Sequence, residues 1–430
     1  MSGRSLEDWL AYISAQHPAT IALGLERVRS VASRMELSLP SGGGPGRGSS
    51  PCVITVGGTN GKGSTCAYLE RILTESGYRP GLYTSPHLVR YNERVRVAAE
   101  EASDAALAAC FERVEAARGD TPLTYFEFGT LAALAHFADA KADALVLEVG
   151  LGGRLDAVNI VDADCAVVVT VDLDHQAWLG EDREAIGFEK AGIFRAGRPA
   201  LFGDRNPPRR LVGHAEAIGA RLQLFGRDFR YEATSPQQWD FIGRKTTKRA
   251  LPMPALRGRW QFGNASCALA ALDEVADRLP VSLGEIKRGL TLVRLPGRLQ
   301  VLPGRPTVVL DVAHNPHAAR ALADGLGDMG FFENTLGVFA MLGDKDVGGV
   351  IDAMRARIDR WYVASAQVER AAPAARLTEE LAKRGLDKAT RAFATVESAF
   401  EAARRDAGPN DRIVVFGSFH TVAETLRPAR

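Results

Sequence analysis

Apolar positions along this chain fall into short unbroken runs rich in valine, isoleucine and leucine, separated by stretches in which they recur every three or four residues. Unbroken runs predict strands buried on both faces, and the 3.6-residue period predicts helices laid over them. The alternation of the two argues for an α/β architecture with a mostly parallel sheet. In the first part the predicted strands are Cys52–Val56, Leu82–Thr84, Leu145–Val149 and Ala166–Thr170. Helices are expected over Ser64–Glu75, Asp104–Ala117 and Phe126–Ala140. Residues 226–260 read as antiparallel or irregular, and Phe262–Arg278 as an alanine-rich helix. After Leu295-Pro296-Gly297 the alternation resumes, with strands Val308–Leu310, Leu336–Ala340, Trp361–Ala364 and Ile413–Phe416. Helices over 316–329, 346–358, 374–385 and 396–407 separate them. Two domains are therefore expected, 1–296 and 297–430, the second Rossmann-like but lacking a GxGxxG loop. Between Pro40 and Pro51 the chain is too rich in Gly, Ser and Pro to pack, which predicts a flexible surface insertion.

Composition narrows the function. The 430 residues carry 53 Lys+Arg against 52 Asp+Glu, a formal charge of +1, so no global basic field exists to hold a nucleic-acid backbone. No apolar run approaches the ~20 residues that span a bilayer, and Met1–Leu10 lacks the apolar core of a signal peptide. Cys52, Cys66, Cys110, Cys165 and Cys267 are odd in number and widely spaced, with no CxxC, so neither a disulfide framework nor structural zinc is indicated. A cytoplasmic protein is expected, acting on small molecules as a monomer without nucleic acid or membrane.

Candidate chemistry sits at strand ends. Gly57-Gly58-Thr59-Asn60-Gly61-Lys62-Gly63-Ser64-Thr65 lies between a predicted strand and a helix. Consecutive glycines let backbone N–H groups converge on phosphate oxygens, and the helix N-terminus adds a positive dipole. Lys62 can neutralise the β- and γ-phosphates, and Ser64 or Thr65 can offer a magnesium ligand. The loop departs from GxxxxGK[ST] in being shorter, with Gly63 between Lys62 and Ser64. Glu148 ends a buried strand beside a second glycine loop, Gly150 to Gly153, where a Mg²⁺ ligand belongs. Asp172, Asp174 and His175 follow the next strand, and Lys190 reads as solvated surface on a helix. In the second domain Asn315 is an expected N-cap, which leaves Asp311 and His314 unexplained, and Ser418 is placed to meet an anion at a helix N-terminus. These residues suggest a two-domain transferase or ligase using a nucleoside triphosphate; they do not separate a kinase from an ATP-driven ligase.

GGTNGKGS (57–64), SPHLVRYNERV (85–95), TYFEFGTLAAL (124–134), EVGLGGRLDAVNIVD (148–162), LDHQAWLG (173–180), EKAGIFR (189–195), LPGRLQ (295–300), DVAHNPHAA (311–319) and GSFHTVAE (417–424) resemble the folylpolyglutamate synthase family. More narrowly, they resemble its bacterial bifunctional dihydrofolate synthase/folylpolyglutamate synthase branch within the Mur ligase superfamily. The match runs from Leu23 onward. Departures are the insertion at 41–50, Ala22 for a pterin-contacting Asp, and Gln176 and Val158 for frequent Thr.

The resemblance implies a Mur-ligase-like fold, with an N-terminal P-loop ATPase domain and a Rossmann-like C-terminal domain that completes the site. It implies glutamate addition to dihydropteroate and to folates through an acyl phosphate, with ATP as co-substrate, two Mg²⁺ ions, and K⁺ as a further candidate. By the same resemblance Gly58, Thr59, Asn60, Gly61, Lys62, Gly63 and Ser64 wrap ATP, joined by Asn264, Arg298, Asp311 and His314. Ser64, Ser85, Glu148 and His175 hold the metal, and Lys62, Glu148, His175 and Lys190 carry catalysis. Gly24, Leu25, Thr124, Tyr125, Phe126, Glu127, Leu155, Asp156 and Ala157 match pteroate-binding segments. Lys345 and Ser418 match positions that hold the incoming glutamate, and Lys190 matches a lysine carbamylated by CO₂. The alternatives are a monofunctional folylpolyglutamate synthase and, from another class, a P-loop regulatory protein without ligase activity.

Overall fold

The structure, a computed structural model, describes residues 4–17, 21–37 and 50–426. The expected insertion lies outside these apart from Ser50 and Pro51. The chain divides into two compact units, Met1–Ala255 with Phe262–Val293, and Leu256–Gln261 with Arg294–Arg430.

The first unit is built on eight strands: β1 (Cys52–Gly57), β2 (Pro80–Tyr83), β3 (Val95–Val97), β4 (Glu100–Glu101), β5 (Ala144–Glu148), β6 (Cys165–Val168), β7 (Pro199–Phe202) and β8 (Arg221–Leu224). Their spatial order is β4-β3-β2-β5-β1-β6-β7-β8. The pairs from β2 through β8 are parallel, and only β3 and β4 run antiparallel at one edge. Helices cover both faces, which is why the central strands read as continuous apolar runs rather than alternating ones. Strand β1 lies between β5 and β6, where the strand order reverses, so the loops leaving these three strands share one crevice. Register sets Val56 beside both Glu148 and Val167, bringing the phosphate loop and Glu148 to the same edge.

A separate antiparallel sheet follows, β9 (Arg230–Ser235), β10 (Gln238–Ile242) and β11 (Thr247–Pro252), which buries Trp239, Phe241 and Leu251. The alanine-rich helix is Trp260–Glu274, not 262–278. Beyond Glu274 the chain goes on as turns, with the Arg278 and Leu279 N–H groups both on the Val275 carbonyl, up to Pro280.

The second unit holds β12 (Gln300–Leu302), β13 (Thr307–Leu310), β14 (Thr335–Phe339), β15 (Arg360–Ala364), β16 (Thr390–Phe393) and β17 (Arg412–Phe416), in the order β12-β13-β17-β14-β15-β16. All pairs but β12–β13 are parallel. Edge strands β12 and β16 escape a hydrophobic-run reading because each buries little. With β17 inserted between β13 and β14, the loops after all three meet at one sheet edge. No helix among the described residues is long and apolar enough to cross a membrane.

Candidate active site

The loop after β1 turns into the helix Lys62–Glu75 through two glycines in conformations closed to other residues, Gly58 at φ +144° and Gly61 at φ +84°. A side chain at Gly61 would also lie 2.4 Å from the Asn264 Oδ1. Buried Asn264 thus abuts the loop from the helix Trp260–Glu274, and the Thr65 hydroxyl donates to its carbonyl at 3.5 Å. Lys62 is the first helical residue, and its Nζ donates to the carbonyls of Gly58 (3.0 Å) and Thr59 (3.4 Å). The loop's shape is enforced by the segment after β6. Thr59 N–H donates to the Thr170 carbonyl (2.8 Å), Asn60 N–H to the Thr170 hydroxyl (3.0 Å), and that hydroxyl to the Asn60 carbonyl (3.0 Å). Asp172 N–H donates to the Thr59 hydroxyl at 3.0 Å. Thr170 is a site residue the sequence reading missed; its only signal is a hydroxyl at the end of a strand beside β1.

Glu148 is buried at the end of β5, and the Ser85 N–H donates to its carboxylate at 3.2 Å. Ser64 is buried in the first turn of the phosphate-loop helix. His175 is partly exposed at φ +52°, its Nε2 3.9 Å from Asp174 Oδ1. Lys190 is not the surface lysine its neighbours suggest. The helix Arg183–Ala191, capped by Asp182, buries it, and its amine is pushed down to about 7, first by burial and then by the Lys62 charge, against the pull of Asp174 and Asp156. Lys62, Asp156, Asp174 and Lys190 therefore lie within electrostatic reach of one another.

The segments 24–25, 124–127 and 155–157 come together beside this edge. Gly24 N–H donates to the Leu155 carbonyl (3.3 Å). Arg27 donates to the Ala22 carbonyl and the Glu127 carboxylate, both at 2.8 Å. Glu127 is buried, and its other oxygen accepts the Thr124 N–H at 2.8 Å in a capping box that starts the helix Tyr125–Asp139. Its carboxylate is thus committed to holding the segments in place, a role shared with Arg27, which sequence reasoning did not single out. Asp156 is likewise engaged: its oxygens accept Leu151 N–H (2.8 Å) and Val158 N–H (3.1 Å), and burial pushes its carboxyl up to about 7. Phe126 packs against Tyr83, ring centroids 5.7 Å apart, and over Gly150. Leu25 and Ala157 are buried alongside.

In the second unit Arg298, Asp311, His314 and Ser418 gather at the ends of β13 and β17. Buried Asp311 accepts Leu299 N–H (2.7 Å) and Ala313 N–H (2.8 Å), holding Leu299 at φ +42°. Burial raises its carboxyl while Arg298 opposes the rise. The Arg298 guanidinium lies 5.0 Å over the Phe419 ring, and His314 Nδ1 is 2.9 Å from the Val312 carbonyl. Asn315 caps its helix by accepting Ala318 N–H at 2.9 Å. Ser418 is buried, and its hydroxyl accepts Thr421 N–H (3.0 Å) and pairs with the Thr421 hydroxyl (2.7 Å). That oxygen serves as a helix cap. Lys345 lies in the loop after β14, which is tied to 370–372 by Gly343 N–H to the Arg370 carbonyl and Ala372 N–H to the Met341 carbonyl, both 2.8 Å.

Residues 56–271 match the Mur ligase middle domain, and residues 297–419 match the glutamate ligase domain of Mur ligases. A dihydrofolate synthase/folylpolyglutamate synthase of Escherichia coli is 45% identical over 421 residues, 98% of this chain and 94% of the relative. This chain belongs to that family of Mur ligases. The E. coli protein solved with DHPP and ADP superposes at a TM-score of 0.91 with 45% identity, covering 98% of this chain and 97% of that one. A bifunctional folylpolyglutamate synthase/dihydrofolate synthase with Mn, AMPPNP and L-glutamate bound gives 0.88 at 43% identity, covering 98% and 97%.

The donor chemistry of this ligase-family chain bears on which cation it fits. Among the described residues no group of three or more His, Cys, Asp or Glu side chains could hold a metal by itself. What the β1–β5 edge offers is one carboxylate, Glu148, with the hydroxyls of Ser64 and Ser85. A sparse, hard-oxygen set suits a divalent cation that keeps several waters and takes substrate phosphates as its remaining ligands.

Proposed function

We propose that the chain is an ATP-dependent acid–amino-acid ligase that joins L-glutamate to dihydropteroate, forming dihydrofolate, and to the γ-carboxylate of folate mono- and polyglutamates. What supports this reading is the shared edge: the phosphate loop braced by Thr170 and the segments 24–25, 124–127 and 155–157, tied to one another by hydrogen bonds, lie by the same strand ends. In this reading the protein is a cytoplasmic monomer of folate biosynthesis, with no nucleic-acid or membrane partner.

A carboxylate is a poor acyl donor because it would have to expel oxide, so it must first be phosphorylated. In that step a carboxylate oxygen bonds to the γ-phosphorus of ATP and ADP leaves. Lys62, the loop N–H groups and the helix N-terminus offset the repulsion between the two anions and stabilise the charge on the transferring phosphoryl group. Ser64, Ser85, Glu148 and His175 would hold Mg²⁺, which supplies further charge neutralisation when bound. The glutamate α-amine then attacks the acyl carbon; the C–N bond forms, the C–O bond to phosphorus breaks, and inorganic phosphate leaves. Lys345, and the Ser418 helix start rather than its committed hydroxyl, are the second unit's candidates for the incoming glutamate. Arg298, Asp311 and His314 would meet the nucleotide, Asp311 by bracing the Arg298 loop.

Release of ADP and phosphate should require an acid substrate and glutamate together. Release with folate substrates but none with dihydropteroate would leave a monofunctional enzyme, and nucleotide binding without turnover on either would leave a regulatory module. Within this reading Phe126→Ala is expected to raise KM for dihydropteroate about tenfold, since an aromatic wall contributes on the order of 1–2 kcal/mol. Nucleotide affinity by calorimetry should stay unchanged; equal losses in both would make Phe126 part of the fold alone.

A further inference from the structure

Arg94 is an arginine that the fold buries without giving it an acid. It closes the turn Tyr91–Arg94 and is 9% exposed. Its Nε donates to His87 Nδ1 at 2.8 Å, and its guanidinium carbon lies 5.4 Å over the Tyr91 ring and 5.5 Å over the Tyr125 ring. Among the described residues no carboxylate pairs with it and no protein acceptor meets its two terminal nitrogens. The acids around it are engaged elsewhere. Glu93 accepts the N–H groups of Leu88, Val89 and Arg90. Glu127 is taken by Arg27 and Thr124, and Asp156 by Leu151 and Val158.

Other arginines shielded from water in this chain are treated differently. Even half-buried Arg96, on the next strand, meets buried Glu70 through Nε and Nη2. Arg412 has no acid either, but its three nitrogens reach the Thr335 hydroxyl and the Leu326 carbonyl. Taking a guanidinium out of water without acceptors is costly, and two tyrosine faces replace only part of its hydration. A planar fork held by its Nε, with both outer nitrogens unused, matches a carboxylate bidentately. Its place is defined at both ends. The Arg94 carbonyl accepts Thr84 N–H at 2.9 Å, next to Ser85 and Glu148, and its side chain covers Tyr125 at the start of the helix that carries Phe126.

We propose that Arg94 receives a carboxylate of the acid substrate, an inference that rests on the ligase reading given above. Two carboxylates share this chemistry: the benzoate carboxylate of dihydropteroate, which is the group to be activated, and the α-carboxylate of a folate's terminal glutamate. His87 then acts as a positioning residue, fixing the fork through Nε.

The test compares wild type with Arg94→Met and Arg94→Lys, using dihydropteroate and a reduced folate monoglutamate as acid substrates. KM for the acid substrate should rise at least tenfold in Arg94→Met, with KM for ATP moving less than twofold, and Arg94→Lys should recover part of the loss. A rise with dihydropteroate alone assigns the benzoate carboxylate, which the monoglutamate carries only as an amide; a rise with the monoglutamate alone assigns the α-carboxylate; a rise with both means that each acid presents its own carboxylate to Arg94. Direct binding of a pterin–aniline analogue lacking any carboxylate should be equal in wild type and variants. Unchanged KM for both acids, or an equal loss of analogue binding in both variants, would overturn the proposal. Failure of the wild-type enzyme to turn over either acid would instead count against the ligase reading, and binding of the acids and the analogue would still decide Arg94.

Discussion

Lys62→Ala is expected to lower kcat by about a thousandfold or more with dihydropteroate and with folate substrates alike, because one phosphate site serves both. The lysine stands at the first turn of the helix, its Nζ within 3.0 Å of the Gly58 carbonyl, so its charge is held inside the loop rather than tethered above it. Removing it also acts on a second group. Lys62 is one of the causes that depress the Lys190 amine, so in Lys62→Ala that amine should climb and be more fully protonated near neutrality. Steady-state rates on both acids check the first effect, and a titration of Lys190 checks the second. Loss of one activity alone would overturn the shared site. Arg is expected to rescue poorly, since its planar fork does not replace a point charge in a tight loop.

Lys190→Ala should reduce turnover by a similar factor while leaving the fold intact. The side chain is 4% exposed and its amine is pushed down to about 7, so a large share is neutral under physiological conditions. A neutral amine can attack CO₂: the N–C bond forms, one proton is released, and the neutral amine becomes an anionic carbamate able to serve a metal beside His175. The sign of the pH dependence follows. Below the depressed pKa the amine is protonated and has no lone pair, so at fixed dissolved CO₂ carbamate occupancy should fall as pH drops from about 8 to about 6. ¹³C NMR with labelled bicarbonate measures this directly, with Lys190→Ala as the blank. An unmodified Lys190 in a fully active preparation, or a near-normal rate in Lys190→Ala, would overturn the role. Stability should change little, because the substitution removes an ionisable group whose charged form burial already disfavours.

Much of this protein is legible in one dimension. Strands β1, β5, β6, β13, β14, β15 and β17 are visible because burial on both faces forces unbroken apolar runs, and the phosphate loop because Gly58 and Gly61 occupy backbone conformations that only glycine accepts cheaply. The motifs that mark the Mur ligase family are local for the same reason: each is a strand end and the turn that follows it. What the sequence could not decide was the state and the partners of its polar groups. Lys190 looks solvated beside Glu189, and only the packing around its helix buries it and shifts its amine. Glu127, Asp156 and Ser418 stand in substrate-binding motifs, and only the fold shows that their oxygens also accept backbone N–H groups and, for Glu127, Arg27. Thr170 and Arg94 gain their roles from a neighbouring strand and from a helix start about thirty residues away, by contacts no spacing rule encodes. Backbone geometry and apolar burial are short-range demands that each residue type meets alone, so sequence reveals them. Charge and hydrogen bonding depend on which distant groups arrive first, and that is settled only when the chain is folded.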